Sequence, residues 1–171
     1  MVVDNPDGSY AVRVSIVSPN YFDTLGVRLV KGRSFTAEEA SRGTSGLVVV
    51  VAHHVWQNSF HRGDGVVGQA VASNGQPATI MGVADPAFRG AWLAEMTDVW
   101  VPLVGEFREW LQPNRSSVAV AMFGRRAPGV SIAEAQAELT TLWMSLQRRD
   151  PDLNQQVKVR LVPYSATAGG N

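Results

Sequence analysis

The sequence predicts a mixed α+β fold, and three patterns lead to that prediction. Residues 47–52 form a continuous apolar run rich in valine, which is typical of a strand covered on both faces. The pair Asn74-Gly75 separates two apolar segments, as in a tight β-hairpin. Residues 132–149 carry apolar side chains at helical spacing before Pro151. The chain of 171 residues is long enough to bury one sizeable core.

The shorter elements follow from local patterns. Val12, Val14 and Ile16 alternate with polar residues, which predicts a strand with one buried face. Thr36 and Glu39 have the spacing of a capping box, which predicts a short helix just after Thr36. We expect strands at 12–16, 27–30, 69–72, 78–84, 99–101, 117–123 and 157–161, short helices at 21–25, 37–41 and 53–61, and a frayed segment at 1–9.

The helix over 132–149 has the most complete set of signals. Ser131 and Glu134 form a capping box at its start, and Arg148 and Arg149 suit the negative end of its dipole. Five apolar residues fall at steps of three or four and are expected to be buried on one face: Ile132, Ala135, Leu139, Leu142 and Leu146.

Composition and charge exclude several classes of protein. The formal net charge is zero, so we expect no large basic surface for nucleic acid. No cysteine is present, which excludes disulfides and thiol chemistry. The longest apolar run, 47–52, is far shorter than the ~20 residues of a membrane-spanning helix. Because no signal peptide precedes the first strand either, the compartment stays open on composition alone.

No catalytic, metal or cofactor residue is predicted. His53 and His54 point about 100° apart on a helix, and His61 lies about 12 Å along the axis, so the three are not expected to share an ion. The glycines of 63–68 follow a predicted helix and precede a strand, the reverse of a dinucleotide-binding loop. Three isolated acidic residues stand beside turn-forming neighbours and are expected to close turns: Asp64, Asp85 and Asp98.

The segment 88–96 is apolar where a loop is expected to be polar. Trp92 lies at its centre, whereas the other tryptophans in apolar patterns, Trp56, Trp100 and Trp143, are expected in the core. Two interpretations remain open: the loop folds back onto the core, or it forms a contact surface for another chain or a lipid-like cargo. The candidate contact residues are Phe88, Arg89, Trp92, Leu93 and Met96.

A series of short phrases carries a resemblance to a known family. They are VSPNYFDTLGV at 17–27, KGRSF at 31–35, GDGVVGQ at 63–69, IMGVA at 80–84, FRG at 88–90, DVWVPL at 98–103 and APGVSIAEAQ at 127–136. In this order they resemble the MacB-like periplasmic core domain of ABC-transporter permeases. The FRG phrase is similar in particular to permeases described as duplicated orphan permeases. The resemblance runs over 12–163, with two departures: His53-His54 replaces Asn-Glu, and Val66 replaces proline.

The resemblance implies an α+β fold of two lobes. Residues 1–46 and 104–163 would form a terminal βαβ-type lobe, in which the strands near 12–18 and 117–123, the long helix and the last strand come together. Residues 47–103 would form an inserted, strand-rich lobe. Residues 164–171 would be a tail or linker.

The resemblance also implies a function and an address. The family's domain lies between the first two transmembrane helices of a permease, on the periplasmic or extracellular face of the bacterial inner membrane. It would contact cargo or partner proteins and transmit movement driven by a cytoplasmic ATPase, without catalysis of its own. The expected partners are the permease's own helices, that ATPase, and a periplasmic adaptor or lipid-like cargo, with the isolated domain monomeric. The alternatives are a periplasmic lipid- or peptide-binding module and a small hydrolase.

Overall fold

A computed structural model of the chain describes residues 2–5, 8–41, 46–73, 76–91, 96–103, 121–149 and 158–164. The chain divides into two compact units, Met1–Phe123 and Gly124–Asn171. The described part of the first unit contains the strands β1 (Val2–Asn5), β2 (Gly8–Ala11), β3 (Val14–Val17), β4 (Leu29–Gly32), β5 (Leu47–Val51), β6 (Ala70–Ser73), β7 (Gln76–Ala84) and β8 (Val99–Pro102). It also contains the helices α1 (Tyr21–Leu25), α2 (Ala37–Ser41) and α3 (His53–Ser59) and a short 3-10 helix, Asp64–Val66. The second unit contains α4 (Ile132–Arg149).

The eight described strands form one mixed sheet. Its order is β2-β1-β6-β7-β5-β8-β3, and β4 also pairs with β7. The pairs β5–β7 and β3–β8 are parallel, and the other pairs are antiparallel. Together with the helices, this sheet confirms the predicted α+β class.

The valine run forms β5, at the centre of the core. Val48 to Val51 are all buried, and Val50 is fully enclosed. Because β5 lies between β7 and β8 and is covered on both faces, it needs apolar side chains at every position rather than at alternate ones.

Local capping signals place the short helices. Gly26 closes α1 with a φ of 70°, a left-handed conformation that glycine adopts without strain. The capping box of α2 forms as predicted: the Thr36 N–H donates to Glu39 Oε2 over 2.8 Å, and the Glu39 N–H donates to Thr36 Oγ1 over 3.2 Å. The predicted hairpin forms from β6 and β7, and its Asn74-Gly75 turn lies outside the described residues.

The first residues differ from the prediction of a frayed end. Residues 2–5 and 8–11 form β1 and β2, which pair with each other, and β1 also pairs with β6. The pairing of β1 with β2 is local, whereas β6 lies about 70 residues away in sequence, so the segment's own residues carry no signal for that second pairing.

The second unit contains α4 with the predicted bounds. Ser131 N–H donates to Glu134 Oε2 over 2.7 Å, and Glu134 N–H donates to Ser131 Oγ over 3.2 Å, which completes the capping box. The prediction of a buried apolar face is wrong: no side chain of α4 is buried, and Leu142 is 55% exposed. Periodicity identifies which residues share a face, but not whether another element covers it.

The described parts of two predicted strands are not strands, and the sheet has no break at the predicted lobe boundary. Residues 121–123 and 158–161 lie in no strand, and the rest of the predicted strands at 117–123 and 157–161 lies outside the described residues. β3 pairs with β8 and β4 pairs with β7, so the sheet is continuous across the predicted boundary at residue 46. The two-lobe division stays a prediction.

Candidate functional site

The predicted contact segment starts from a buried aromatic cluster. Phe88 stacks on Trp100 with ring centroids 5.4 Å apart, and it packs edge-on against Phe22 at 6.1 Å. Trp100 and Phe22 are fully buried, whereas Phe88 is partly buried. The Ala91 N–H donates to the Tyr21 hydroxyl over 3.1 Å. Phe88 is therefore an anchor that fixes the start of the segment to the core.

A backbone hydrogen bond closes the segment at its base. The Thr97 N–H donates to the carbonyl oxygen of Arg89 over 2.9 Å, and Arg89 Nη1 lies 3.5 Å from the Met96 sulfur. Gly90 has a φ of 116°, which residues with a β-carbon rarely adopt. The segment between Arg89 and Thr97 therefore has its two ends held together, and Ala91 within it is buried. We call residues 89–97 the contact loop.

The five predicted contact residues have different surroundings. Arg89 is exposed and Met96 is partly buried, and the structure brings these two together at the base of the contact loop. Phe88 faces the aromatic cluster. Trp92 and Leu93 lie outside the described residues, so both interpretations of Trp92 stay open.

A charged cluster directly follows the contact loop. Asp98 Oδ1 accepts from Arg13 Nη2 over 2.9 Å and lies 2.8 Å from His54 Nε2, and Asp98 Oδ2 accepts from Arg13 Nε over 3.1 Å. The Arg13 backbone N–H also donates to Asp98 Oδ2 over 2.8 Å. Asp98 is 8% exposed. Burial alone raises the pKa of Asp98, but the hydrogen bonds from Arg13 and His54 outweigh it, so this pKa lies below its ordinary value.

This cluster joins three elements at one end of the sheet. Arg13 precedes β3, His54 is in the first turn of α3, and Asp98 precedes β8. The Ala52 N–H donates to the Asp98 carbonyl over 2.8 Å, and Ser15 Oγ lies 2.8 Å from Thr97 Oγ1. The end of the contact loop is thus fixed by side chains as well as by backbone.

This cluster was not predicted from the sequence. Asp98 was expected to close a turn, and instead it makes an ion pair with a residue 85 positions away. The available signal was an aspartate directly before a buried strand, where an unpaired charge would be costly. Its partner, Arg13, had no distinguishing signal.

Of the other two acidic candidates, one closes a turn and the other makes an ion pair at the surface. Asp85 Oδ1 accepts from the Ala87 N–H over 2.9 Å, which is the predicted turn closure. Asp64 is exposed and pairs with Lys31 Nζ over 2.7 Å. Lys31 lies over the Trp56 ring at 5.4 Å, so this contact joins β4 to α3 at the surface.

The histidines do not converge. His54 faces Asp98, and His53 Nδ1 lies 2.9 Å from the side-chain amide of Gln57. His61 is exposed, in a left-handed conformation with a φ of 48°. Within the described ranges, no three histidine or acidic side chains form a group that would hold a metal ion. Residues 63–68 lie between α3 and β6, the order expected from the sequence.

A comparison with protein-family models identifies one family. The model of the MacB-like periplasmic core domain matches residues 2–142. The periplasmic region of MacB from Actinobacillus actinomycetemcomitans is similar in fold, with 20% identity and a TM-score of 0.57 over 86% of this chain and 63% of that one. The extracellular domain of the ABC-type transporter YknZ from Gram-positive bacteria aligns with 17% identity and a TM-score of 0.47, over 68% of this chain and 54% of that one. A search of curated proteins finds no match.

The extent of the family match decides the assignment. It includes every described strand and more than half of α4. In the described part of the chain, none of the helices is long and apolar enough to span a bilayer. This chain spans 63% of the MacB periplasmic region. The chain belongs to the family of MacB-like periplasmic core domains of ABC-transporter permeases.

Proposed function

We propose that the chain is the part of an ABC-transporter permease that contacts cargo or a partner protein outside the cytoplasm and relays ATP-driven movement. It does so without catalysis of its own. Family membership supports the setting, and the contact loop with its fixed base is the observation that carries the contact role. Function commonly resides in loops held by a rigid scaffold.

In this proposal, Phe88 and the residues of the contact loop have different roles. Phe88 holds the start of the loop to the core by stacking on Trp100. Arg89, Trp92, Leu93 and Met96 supply the contact, because arginine and large apolar side chains provide most of the affinity in protein interfaces. The Asp98 cluster keeps the returning end of the loop in place.

The proposal includes the partners and the location. The permease's own transmembrane helices flank the domain at the outer face of the inner membrane, and a cytoplasmic ATPase supplies the energy. A periplasmic adaptor or a lipid-like cargo occupies the contact loop. The two-lobe division, 1–46 with 104–163 and 47–103, and the linker at 164–171 belong to the same proposal and rest on the family resemblance.

The deciding experiment is Trp92→Ser in the intact permease. We expect unchanged thermal stability of the isolated domain and lost transport in cells. Val67→Ser is the matched control, because Val67 is 40% exposed and lies between α3 and β6, away from the contact loop in sequence. The control should transport normally. A large loss of melting temperature in Trp92→Ser, or normal transport, would refute the contact role.

A further inference from the structure

The side-chain amide of Gln136 binds the backbone of a segment 23 to 25 residues away. Its Nε2 donates to the Val159 carbonyl over 3.0 Å, and its Oε1 accepts from the Leu161 N–H over 2.6 Å. A carbonyl and an N–H two residues apart are the pair of groups that a neighbouring strand would bond. The amide of Gln136 therefore takes the place of one residue of such a strand, which would use its own N–H and C=O for these two bonds.

Thr140 fixes the orientation of this amide. The second N–H of Gln136 Nε2 points at Thr140 Oγ1 over 3.0 Å, and Thr140 Oγ1 donates to the Gln136 main-chain carbonyl over 2.8 Å. Exchanging the amide oxygen and nitrogen would place a donor against the Leu161 N–H and an acceptor against the Val159 carbonyl. The amide therefore has a single orientation in this contact.

Hydrogen bonds contribute more than apolar burial to holding residues 158–164 on α4. No side chain of α4 is buried, and Leu161 and Val162 are 38% and 43% exposed. Apolar burial therefore does little to hold residues 158–164 on α4. The capping box accounts for Ser131 and Glu134 in the phrase at 127–136, and this bidentate contact accounts for its last residue, Gln136.

We propose that Gln136 is a positioning residue that fastens residues 158–164 to α4, so that displacement of the chain beyond residue 164 moves the helix. This inference rests on the proposed function, because it assigns the relay of movement to a particular contact. An α-helix of 18 residues is about 27 Å long and rigid. Gln136 lies in its second turn, so a displacement applied there is carried along the whole helix.

The first test measures the contact in the 171-residue chain. We expect amide exchange of Leu161 to accelerate about fivefold to tenfold in Gln136→Ala, because its acceptor is lost. Glu138→Ala is the control, since Glu138 is exposed on the same helix and its change should leave Leu161 unaffected. Helix content by circular dichroism should match in all variants. Unchanged exchange of Leu161 in Gln136→Ala would overturn the proposal.

The variant Gln136→Glu makes the protection of the Leu161 amide depend on pH, which a merely structural role of Gln136 would not do. An ionised carboxylate still accepts from Leu161 but repels the Val159 carbonyl, whereas a protonated carboxyl both donates and accepts. Protection of Leu161 should therefore be weak at neutral pH and should recover under acid in this variant, relative to wild type at the same pH. Protection that is equal to wild type at every pH would contradict the bidentate contact.

The second test measures coupling in the intact permease. Gln136→Ala should hydrolyse ATP at the wild-type rate and lose transport at least fivefold, while Glu138→Ala transports normally. Normal transport in Gln136→Ala, with lost transport in Trp92→Ser, would overturn the coupling role and leave the proposed function standing. Normal transport in Trp92→Ser would count against the proposed contact role, whatever the exchange of Leu161.

Discussion

At the scale of single residues, Asp98 shows how one buried charge organises the end of a sheet. Its carboxylate receives three hydrogen bonds from Arg13 and contacts His54, so both oxygens have partners. Arg13 is 56% exposed at its side chain, which lets its charge stay hydrated while Asp98 is buried. The desolvation free energy of such a pair is smaller than that of a pair in which both groups lose water.

We predict that Asp98→Asn destabilises the domain by about 1–3 kcal/mol, because it leaves Arg13 and His54 facing a neutral amide with fewer acceptors. Urea unfolding measures the change. Asp64→Asn is the matched control, since it removes an ion pair of 2.7 Å whose carboxylate is almost fully exposed, and its unfolding should be unchanged. Equal effects of the two substitutions would mean that burial of Asp98 is unimportant.

Glu39 gives a prediction about pH. Its hydrogen bond with Arg33, helped by Thr36 and opposed by partial burial, lowers the pKa of Glu39 from 4.5 to about 2. A lowered pKa in the folded state means that stability is present above pH 4.5 and is lost as the pH falls toward 2. Glu39→Gln should therefore be less stable than wild type at pH 7, and the difference should shrink on acidification. Melting curves between pH 7 and pH 2 test this, and a difference independent of pH would contradict it.

At the scale of elements, the limits of prediction follow from what each pattern measures. Capping boxes gave the starts of α2 and α4 because the donor and acceptor lie three residues apart in sequence. Continuous apolar residues gave β5, because burial on both faces leaves no polar position. β1 and β2 were missed because residues 1–9 are mostly polar, and because the second partner of β1 is β6, far along the chain.

The exposure of α4 leads to a prediction about how much stability is lost when a leucine on this helix is shortened. Leu142→Ala should cost less than about 1 kcal/mol, because an exposed side chain leaves no cavity when it is shortened. Val50→Ala in β5 should cost roughly 2–3 kcal/mol, because Val50 is fully enclosed. Urea unfolding of both variants gives the comparison. If Leu142→Ala costs as much as Val50→Ala, the apolar face of α4 is covered in solution.

At the scale of the whole molecule, the class of fold and the family were both predictable from the sequence. The α+β class follows from local patterns, whereas the family depends on phrases such as FRG at 88–90 and DVWVPL at 98–103. The structure gives these phrases physical roles: Phe88 stacks on Trp100, Gly90 permits the turn, and Asp98 joins three elements. The pairing of Arg13 with Asp98 was not predictable, because only the folded sheet brings them together.

The whole chain also yields a prediction about ligands. We expect neither zinc nor ATP to bind specifically, because His53 and His54 have separate partners and residues 63–68 lie in the wrong order for a phosphate loop. Isothermal titration with each ligand at micromolar concentration should give no saturable heat. A one-site isotherm with either ligand would show that a binding site has been overlooked.

The hydrogen bond between Thr97 and Arg89 has a consequence for how this domain diversifies. Because it fixes the distance between the two ends of the contact loop, the register of β8 does not depend on what lies between them. The entropic cost of closing a loop grows only with the logarithm of its length. We therefore predict that residues inserted between Ala91 and Met96 reduce stability little, so that, under the proposed contact role, one cargo can be exchanged for another while every described strand stays in place.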